Sequence, residues 1–396
     1  MAVGRAHVSC RAVGRNWLMA RLFPLVIALA APFTPAAAFA DVTLGVLIPL
    51  TGPGSGYGQQ MRTAIEIFSE KYLDLGGKAG KLKLDVQDTR GNVPEAINLT
   101  RKLIDSGNVV AIVGPQYSSE AEVVFPLGVT GKMPIITAMA AKPGIASANQ
   151  PWAFRFSLTS EKGYGPLLDA WLKKNSSTPV KNVVVFFDAK DAVSSFDGNT
   201  LFPNLLKERG VDVLEKITFQ NGDMDFSAQV TRAKGRSPDG VVFAGFYNEG
   251  AQLLKEARKQ GMNQPAVANV GINHPRFIQA GGSAVEGVMS ASDFSSENPA
   301  PAVVEWSAEF QKRRNEQPGN GAALLYDTLF ATRDCIIKQG ITGEDLATDR
   351  EKMRDCWLTM KNLQTPLMGS TTMVNGDAVR LPAVLQVKDG RFTLVK

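Results

Sequence analysis

From Asp41 onward, short apolar runs alternate with helix-length segments, and few folds accept that order. Thr43–Leu50 is a continuous apolar run, as expected of a strand buried on both faces. A Gly-rich turn follows, then a helical pattern from about Gln59 to Leu75, stopped by Gly76-Gly77. Leu82, Leu84 and Val86 alternate as a strand, and Pro94 reads as the first residue of a helix that stops at Gly107. Val109–Val113 is the next buried strand. Ser119-Glu120-Ala121-Glu122 reads as a capping box opening a helix, and Pro134–Ala138 is another strand. A βαβαβαβ run of this kind predicts a parallel sheet with helices on both faces, since each crossover lays its helix against the sheet.

The pattern then starts again. A helix near Gly165–Lys174 leads to strand Asn182–Phe187, and another helix ends at Gly210. Strand Val213–Phe219, a helix from about Phe226, strand Gly240–Phe246 and a helix from about Asn248 follow. Helical stretches near Ala302–Arg314, Ala322–Gln339 and Asp349–Lys361 precede a hairpin, Ala383–Val387 and Arg391–Val395, turned at Asp389-Gly390. Two βα units of domain size fit a 396-residue chain, and no 20–50-residue repeat is present.

The N-terminus carries an export pattern. A basic region ends at Arg21, an apolar stretch runs roughly from Leu22 to Ala31, and Ala38-Phe39-Ala40 precedes Asp41. Small residues at −3 and −1 suit a signal peptidase, and the apolar run is too short to span a bilayer. The expectation is a signal peptide over residues 1–40, cleaved after Ala40, and a periplasmic mature chain without a lipid anchor. Initiation at Met19 would give a more compact basic region than initiation at Met1. Of the net charge of +5, four charges (Arg5, Arg11, Arg15, Arg21) lie in that segment, leaving a near-neutral body. This gives no electrostatic footprint for nucleic acid. Cys10 leaves with the signal. Cys335 and Cys356 remain as either one disulfide or two buried thiols, and the oxidising compartment predicts the disulfide.

The glycine loop Gly52–Gly58 sits between strand and helix, but its spacing fails for GxGxxG and no Gly-Lys-Ser/Thr follows. Its glycines fit a close backbone approach at the carboxyl end of the first strand. The mature chain has one histidine, His274, and no GxSxG, HExxH or CxxC. No metal site, cofactor or catalytic residue is therefore expected, and the chain does not read as an enzyme. Val113–Ser119 joins a buried strand to a helix N-terminus, where free N–H groups favour an anion. Ser119 fits the cap there, and Ser118 is placed to donate to a carboxylate. A second such junction is Ala244–Glu249, whose Phe246 and Tyr247 fit a cleft wall, while Glu249 fits a complement to the helix dipole.

Several stretches resemble the periplasmic solute-binding proteins of the branched-chain amino-acid (leucine/isoleucine/valine-binding) ABC importer family. They are Leu44–Gly52, Val113-Gly114-Pro115 with Ser118-Ser119, Asp225-Phe226-Ser227-Ala228, and Phe246-Tyr247-Asn248-Glu249. The resemblance covers essentially the whole mature chain in collinear order. It implies a two-lobed α/β fold of periplasmic binding protein type I, each lobe a parallel sheet flanked by helices, joined by three crossovers. Lobe one would hold residues 41–158 and 292–376, and lobe two 159–291 and 377–396. The ligand would sit between lobes that close by hinge motion, and a membrane permease would be the partner of a monomeric receptor. The resemblance assigns a ligand carboxylate to Ser118 and the Met139–Ala141 loop. It sets Tyr57 beside the ligand, and Tyr247 with Phe246 over it.

The sequence departs from the family pattern at three places. Ala141 stands where relatives often have threonine, Val270 aligns with the acid that pairs with the ligand's ammonium, and Ser194-Ser195 replaces a tyrosine-glycine pair. These changes bear on α-amino-acid specificity rather than on fold. They favour an aromatic or aliphatic organic acid, with Glu249 or Glu161 left as acids that could rescue an ammonium. A hydrophobic or branched-chain amino acid is the alternative ligand, and a ligand sensor of the same fold the alternative role.

Overall fold

The computed structural model describes Ser9, residues 40–77 and residues 79–395. Residues 1–39 of the expected signal segment, both initiation residues included, lie outside the described residues, apart from Ser9. The first sheet is laid down by β1 (Val42–Ile48), β2 (Leu82–Asp88), β3 (Val109–Val113), β4 (Ile135–Thr137) and β5 (Ala153–Arg155). Helices α1 (Ser55–Tyr72), α2 (Val93–Asp105) and α3 (Ser118–Thr130) alternate with them. All five residues of β3 are buried, as its unbroken apolar run requires. Helix α2 starts where Asn92 accepts from the Glu95 N–H at 3.2 Å, with Pro94 in the first turn, where its missing N–H costs nothing.

The chain then crosses to a second unit: α4 (Ser160–Lys174), β6 (Asn182–Asp188), α5 (Ala192–Phe196) and α6 (Phe202–Glu208). It continues through β7 (Asp212–Phe219), α7 (Ser227–Lys234), β8 (Gly240–Ala244), α8 (Tyr247–Lys259), β9 (Ala266–Ala268), α9 (Pro275–Gly281) and β10 (Met289–Ser292). It returns to the first unit as α10 (Pro301–Arg314), α11 (Asn320–Gln339), α12 (Leu346–Thr359), β11 (Leu363–Thr365), β12 (Gly369–Val374) and β13 (Asp377–Val379). The hairpin β14 (Ala383–Lys388) and β15 (Arg391–Leu394) ends in the second. The sheet orders are β11-β12-β13-β5-β4-β3-β1-β2 and β15-β14-β10-β9-β8-β6-β7. Each therefore contains a doubly wound 2-1-3-4-5 run, with an apolar core on either face.

The sheets are mostly parallel, as expected, and antiparallel strands extend each at one edge, where β11–β12, β12–β13, β10–β14 and β14–β15 pair. Two lobe boundaries need correction. Residues 377–379, expected in lobe two, form β13 in the first sheet. The reason is electrostatic: Arg155 on β5 is fully buried and needs a carboxylate, which Asp377 supplies at 2.7 Å. Ser292, expected in lobe one, pairs with Ala383 as the last residue of β10.

The three crossovers are tied together by one ion pair. Asp293, in the second, accepts from the Leu158 N–H of the first at 2.8 Å and from Arg380 of the third at 3.2 Å. Arg380 also donates to the Phe156 carbonyl at 2.8 Å. Cys335 and Cys356 form a disulfide that joins α11 to α12.

Candidate functional site

The loops that follow β1, β3 and β4 in the first lobe meet those that follow β8 and β9 in the second. Ligands of doubly wound sheets bind at these carboxyl ends. Two small cavities, about 30 and about 20 Å³, lie there and share Met139, Ala141 and Val270. Both are walled by both lobes.

The loop after β3 depends on glycine. Gly114 has φ +122°, and a Cβ there would fall 2.3 Å from the Leu47 carbonyl oxygen. Only glycine permits β3 to end this close to β1 and turn Gln116–Ser118 toward the cleft. Helix α3 begins at Ser118, so its free N–H groups and positive dipole end lie at the cavity wall. Ser118 is buried, and its hydroxyl oxygen accepts from the Lys142 N–H at 3.2 Å. Its own O–H remains to donate to a carboxylate. The expected cap shifts by two residues: Tyr117 is the N-cap, and Glu120, not Glu122, reaches back to accept from the Tyr117 N–H at 3.3 Å. Burial pushes the Glu120 carboxyl up to about 7. Ser119, read as the cap, is half-buried and is not part of the cavity wall.

Aromatic side chains close the cleft across the lobes. Tyr57 on α1 donates its hydroxyl to the Gly271 carbonyl of the second lobe at 2.5 Å. Its ring packs edge-on against Tyr247 at 5.0 Å and Phe246 at 6.3 Å. Tyr57 and Tyr117, both of lobe one, belong to the same apolar cluster as the core of lobe two. Phe246 faces the cavity. Tyr247 stands behind it, stacked on His274 at 4.4 Å, and does not line the cavity. Burial drives the His274 imidazole down to about 4, so it is neutral. Its Nδ1 accepts from the Arg276 N–H at 3.1 Å and caps α9.

Val270 lines both cavities. Its N–H donates to the Tyr164 hydroxyl at 3.2 Å, and that hydroxyl donates to Asp197 at 2.9 Å. Burial raises the Asp197 carboxyl to about 7. Asp293 is the one acid lining either cavity among the described residues, and it is committed to Arg380 and the Leu158 N–H. The acids that the sequence offered as rescuers stand elsewhere. Glu249 accepts from the Gly222 N–H at 2.8 Å, and Glu161 is exposed on α4.

Sequence reasoning missed the amide side chains. Gln116, Asn273 and Asn320 line the larger cavity, and each carries a buried side-chain oxygen without a hydrogen-bond partner among the described residues. Gln116 Nε2 donates to the Leu47 carbonyl at 3.1 Å and Asn273 Nδ2 to the Ala291 carbonyl at 2.6 Å, which fixes their oxygens as acceptors. Among the described residues no group of three or more His, Cys, Asp or Glu could hold a metal ion. No helix there is long and apolar enough to cross a membrane.

The periplasmic binding protein family model matches residues 41–391. The Leu/Ile/Val-binding protein BraC3 of Rhizobium johnstonii is 26% identical over 356 residues, 89% of this chain and 92% of that protein. The crystal structure of a leucine-binding protein from Thermotoga maritima superposes with a TM-score of 0.80 at 28% identity, covering 90% of this chain and 98% of that one. A solute-binding protein of an ABC transporter from Rhodopseudomonas palustris, in complex with 3,4-dihydroxybenzoic acid, superposes with a TM-score of 0.77 at 21% identity over 89% of this chain and 95% of its own. With this match over nearly all of its length, and two doubly wound lobes meeting at their strand ends, the chain belongs to the periplasmic binding protein family.

Proposed function

We propose that this solute-binding protein is the periplasmic receptor of an ABC importer and that its ligand is an aromatic or aliphatic organic acid without an α-ammonium group. The observation that carries the ligand class is the commitment of Asp293. An ammonium in either small cavity would find no free carboxylate among the described residues lining it, and a buried unpaired cation costs on the order of 3–5 kcal/mol. A carboxylate, by contrast, meets the free Ser118 O–H and the N-terminus of α3. Phe246, Tyr57 and Met139 supply apolar surface for the body of such an acid. The Rhodopseudomonas protein holds a benzoic acid on the same architecture. The names of the Rhizobium and Thermotoga proteins point to branched-chain amino acids, which form the competing class.

A thermal-shift panel separates the two. Stabilisation by benzoate-type or aliphatic acids, with none by leucine, isoleucine or valine, is expected; the reverse result removes the organic-acid reading. Export and processing are tested independently by sequencing the secreted chain, whose first residue is expected to be Asp41.

A further inference from the structure

The two small cavities of the cleft, of which the larger is lined by Ser118, are water-sized, whereas a small solute is held in a space of roughly 300–1,000 Å³. A third chamber adjoins them. It measures about 300 Å³, is walled by both lobes and the second crossover, and shares Asn273 and Asn320 with the larger cavity and Ser292 with the smaller. Its apolar surface comes from Ile278, Phe294, Leu385 and Phe392, and the exposed Glu297 and Arg391 also line it. The two asparagines are at most 5% exposed, and both present an oxygen that has no partner among the described residues. Asn273 is held in that orientation by Ala291, and Asn320 by its donation to Asp293. A plain hydrocarbon segment between them would leave two buried acceptors unpaired, which is a net cost.

We infer that the solute is an elongated acid whose carboxylate stays at Ser118, whose middle carries an N–H or O–H donor at Asn273 and Asn320, and whose apolar end fills the third chamber. This rests on the carboxylate reading of the cleft and adds length and a donor to it. The solute then touches both lobes at two levels, at the helix α3 terminus and beside the hinge.

The test is calorimetric titration with N-acylglycines from acetyl to benzoyl, with benzoate as the short reference. Each acylglycine places an amide N–H between carboxylate and tail. Affinity is expected to rise at least tenfold along the series. Two variants fill the chamber away from Ser118: Ile278→Trp, and Gln279→Trp at an exposed position of the wall. Both are expected to erase the rise along the series, and melting curves verify that each is folded. A flat length series, or a rise that survives in both variants, overturns the inference while binding of benzoate keeps the carboxylate reading. Failure of every acid, benzoate included, overturns both.

Discussion

Ser118 holds two positions at once, first residue of α3 and part of the cavity wall, and the hydroxyl is split between them. Its oxygen is used by the Lys142 N–H and its proton is free. Ser118→Ala removes a charge-assisted donor, worth about 1.5–3 kcal/mol, so affinity for a bound carboxylate should drop roughly 10- to 150-fold. Titration of an acid and of its methyl ester checks this: the ester should be indifferent to the substitution, and an equal loss for both would assign the effect to packing. His274 makes a second residue-scale prediction. Its folded value of about 4 lies below the ordinary 6.5, so between those pH values the unfolded chain binds more protons. Stability is therefore lost as pH falls from 6.5 toward 4, by about 3 kcal/mol for this group. Glu120 and Asp197, raised to about 7, act in the opposite sense, so the informative quantity is a difference. His274→Asn keeps an acceptor for α9 and removes the titration. Its melting temperature should fall less steeply over that window than that of the parent chain, and parallel slopes would clear His274 of any part in acid sensitivity.

At the scale of elements, the disulfide between α11 and α12 closes a loop over a sequence separation of 21 residues. In the chain-entropy model such a loop stabilises by about 3 kcal/mol. The variant with Cys335→Ala and Cys356→Ala should show a denaturant midpoint lowered accordingly. In the denatured, unreduced parent chain both cysteines should resist alkylation, as read by peptide mass. These two helices were legible in the sequence because each is long enough to show its period, and so were β1, β3, β6, β7 and β8. The elements that escaped are short. β5, β9, β11 and β13 have three residues each, too few for alternation to register, and α9 has seven. β11–β13 are also only partly buried, so their apolar residues form no continuous run. For the site, Ser118 and Phe246 could be found because they follow recognisable strands, whereas Met139 and Val270 came only from the family resemblance. Gln116, Asn273 and Asn320 could not, since an amide carries no local signature and these three meet only through tertiary structure. The helix expected from Ala322 starts two residues earlier, and that shift is what sets Asn320 at the wall.

Across the whole molecule, the lobes are linked by three crossovers clamped through Asp293 and Arg380. Such a hinge lets the lobes separate at small cost, and a ligand that touches both binds the closed form better, shifting the population toward it. Small-angle scattering should show a smaller radius of gyration with saturating ligand. Gly56 provides a decisive control. It lies in the first turn of α1, and a Cβ there would fall 2.2 Å from the Tyr247 hydroxyl and 3.3 Å from Arg276 Nη1, both on the other lobe. Within its own lobe the position accepts a methyl, and alanine is a better helix former than glycine by up to about 1 kcal/mol. Gly56→Ala should therefore leave melting temperature level or slightly raised while it wedges the lobes apart. Affinity should drop at least tenfold, because only the closed fraction binds tightly and the apparent constant scales with that fraction. The scattering radius of the variant should stay at its unliganded value when ligand is added at the concentration that saturates the parent chain. A variant that still contracts and binds with parental affinity would mean that the contact between α1 and Tyr247 has no part in closure.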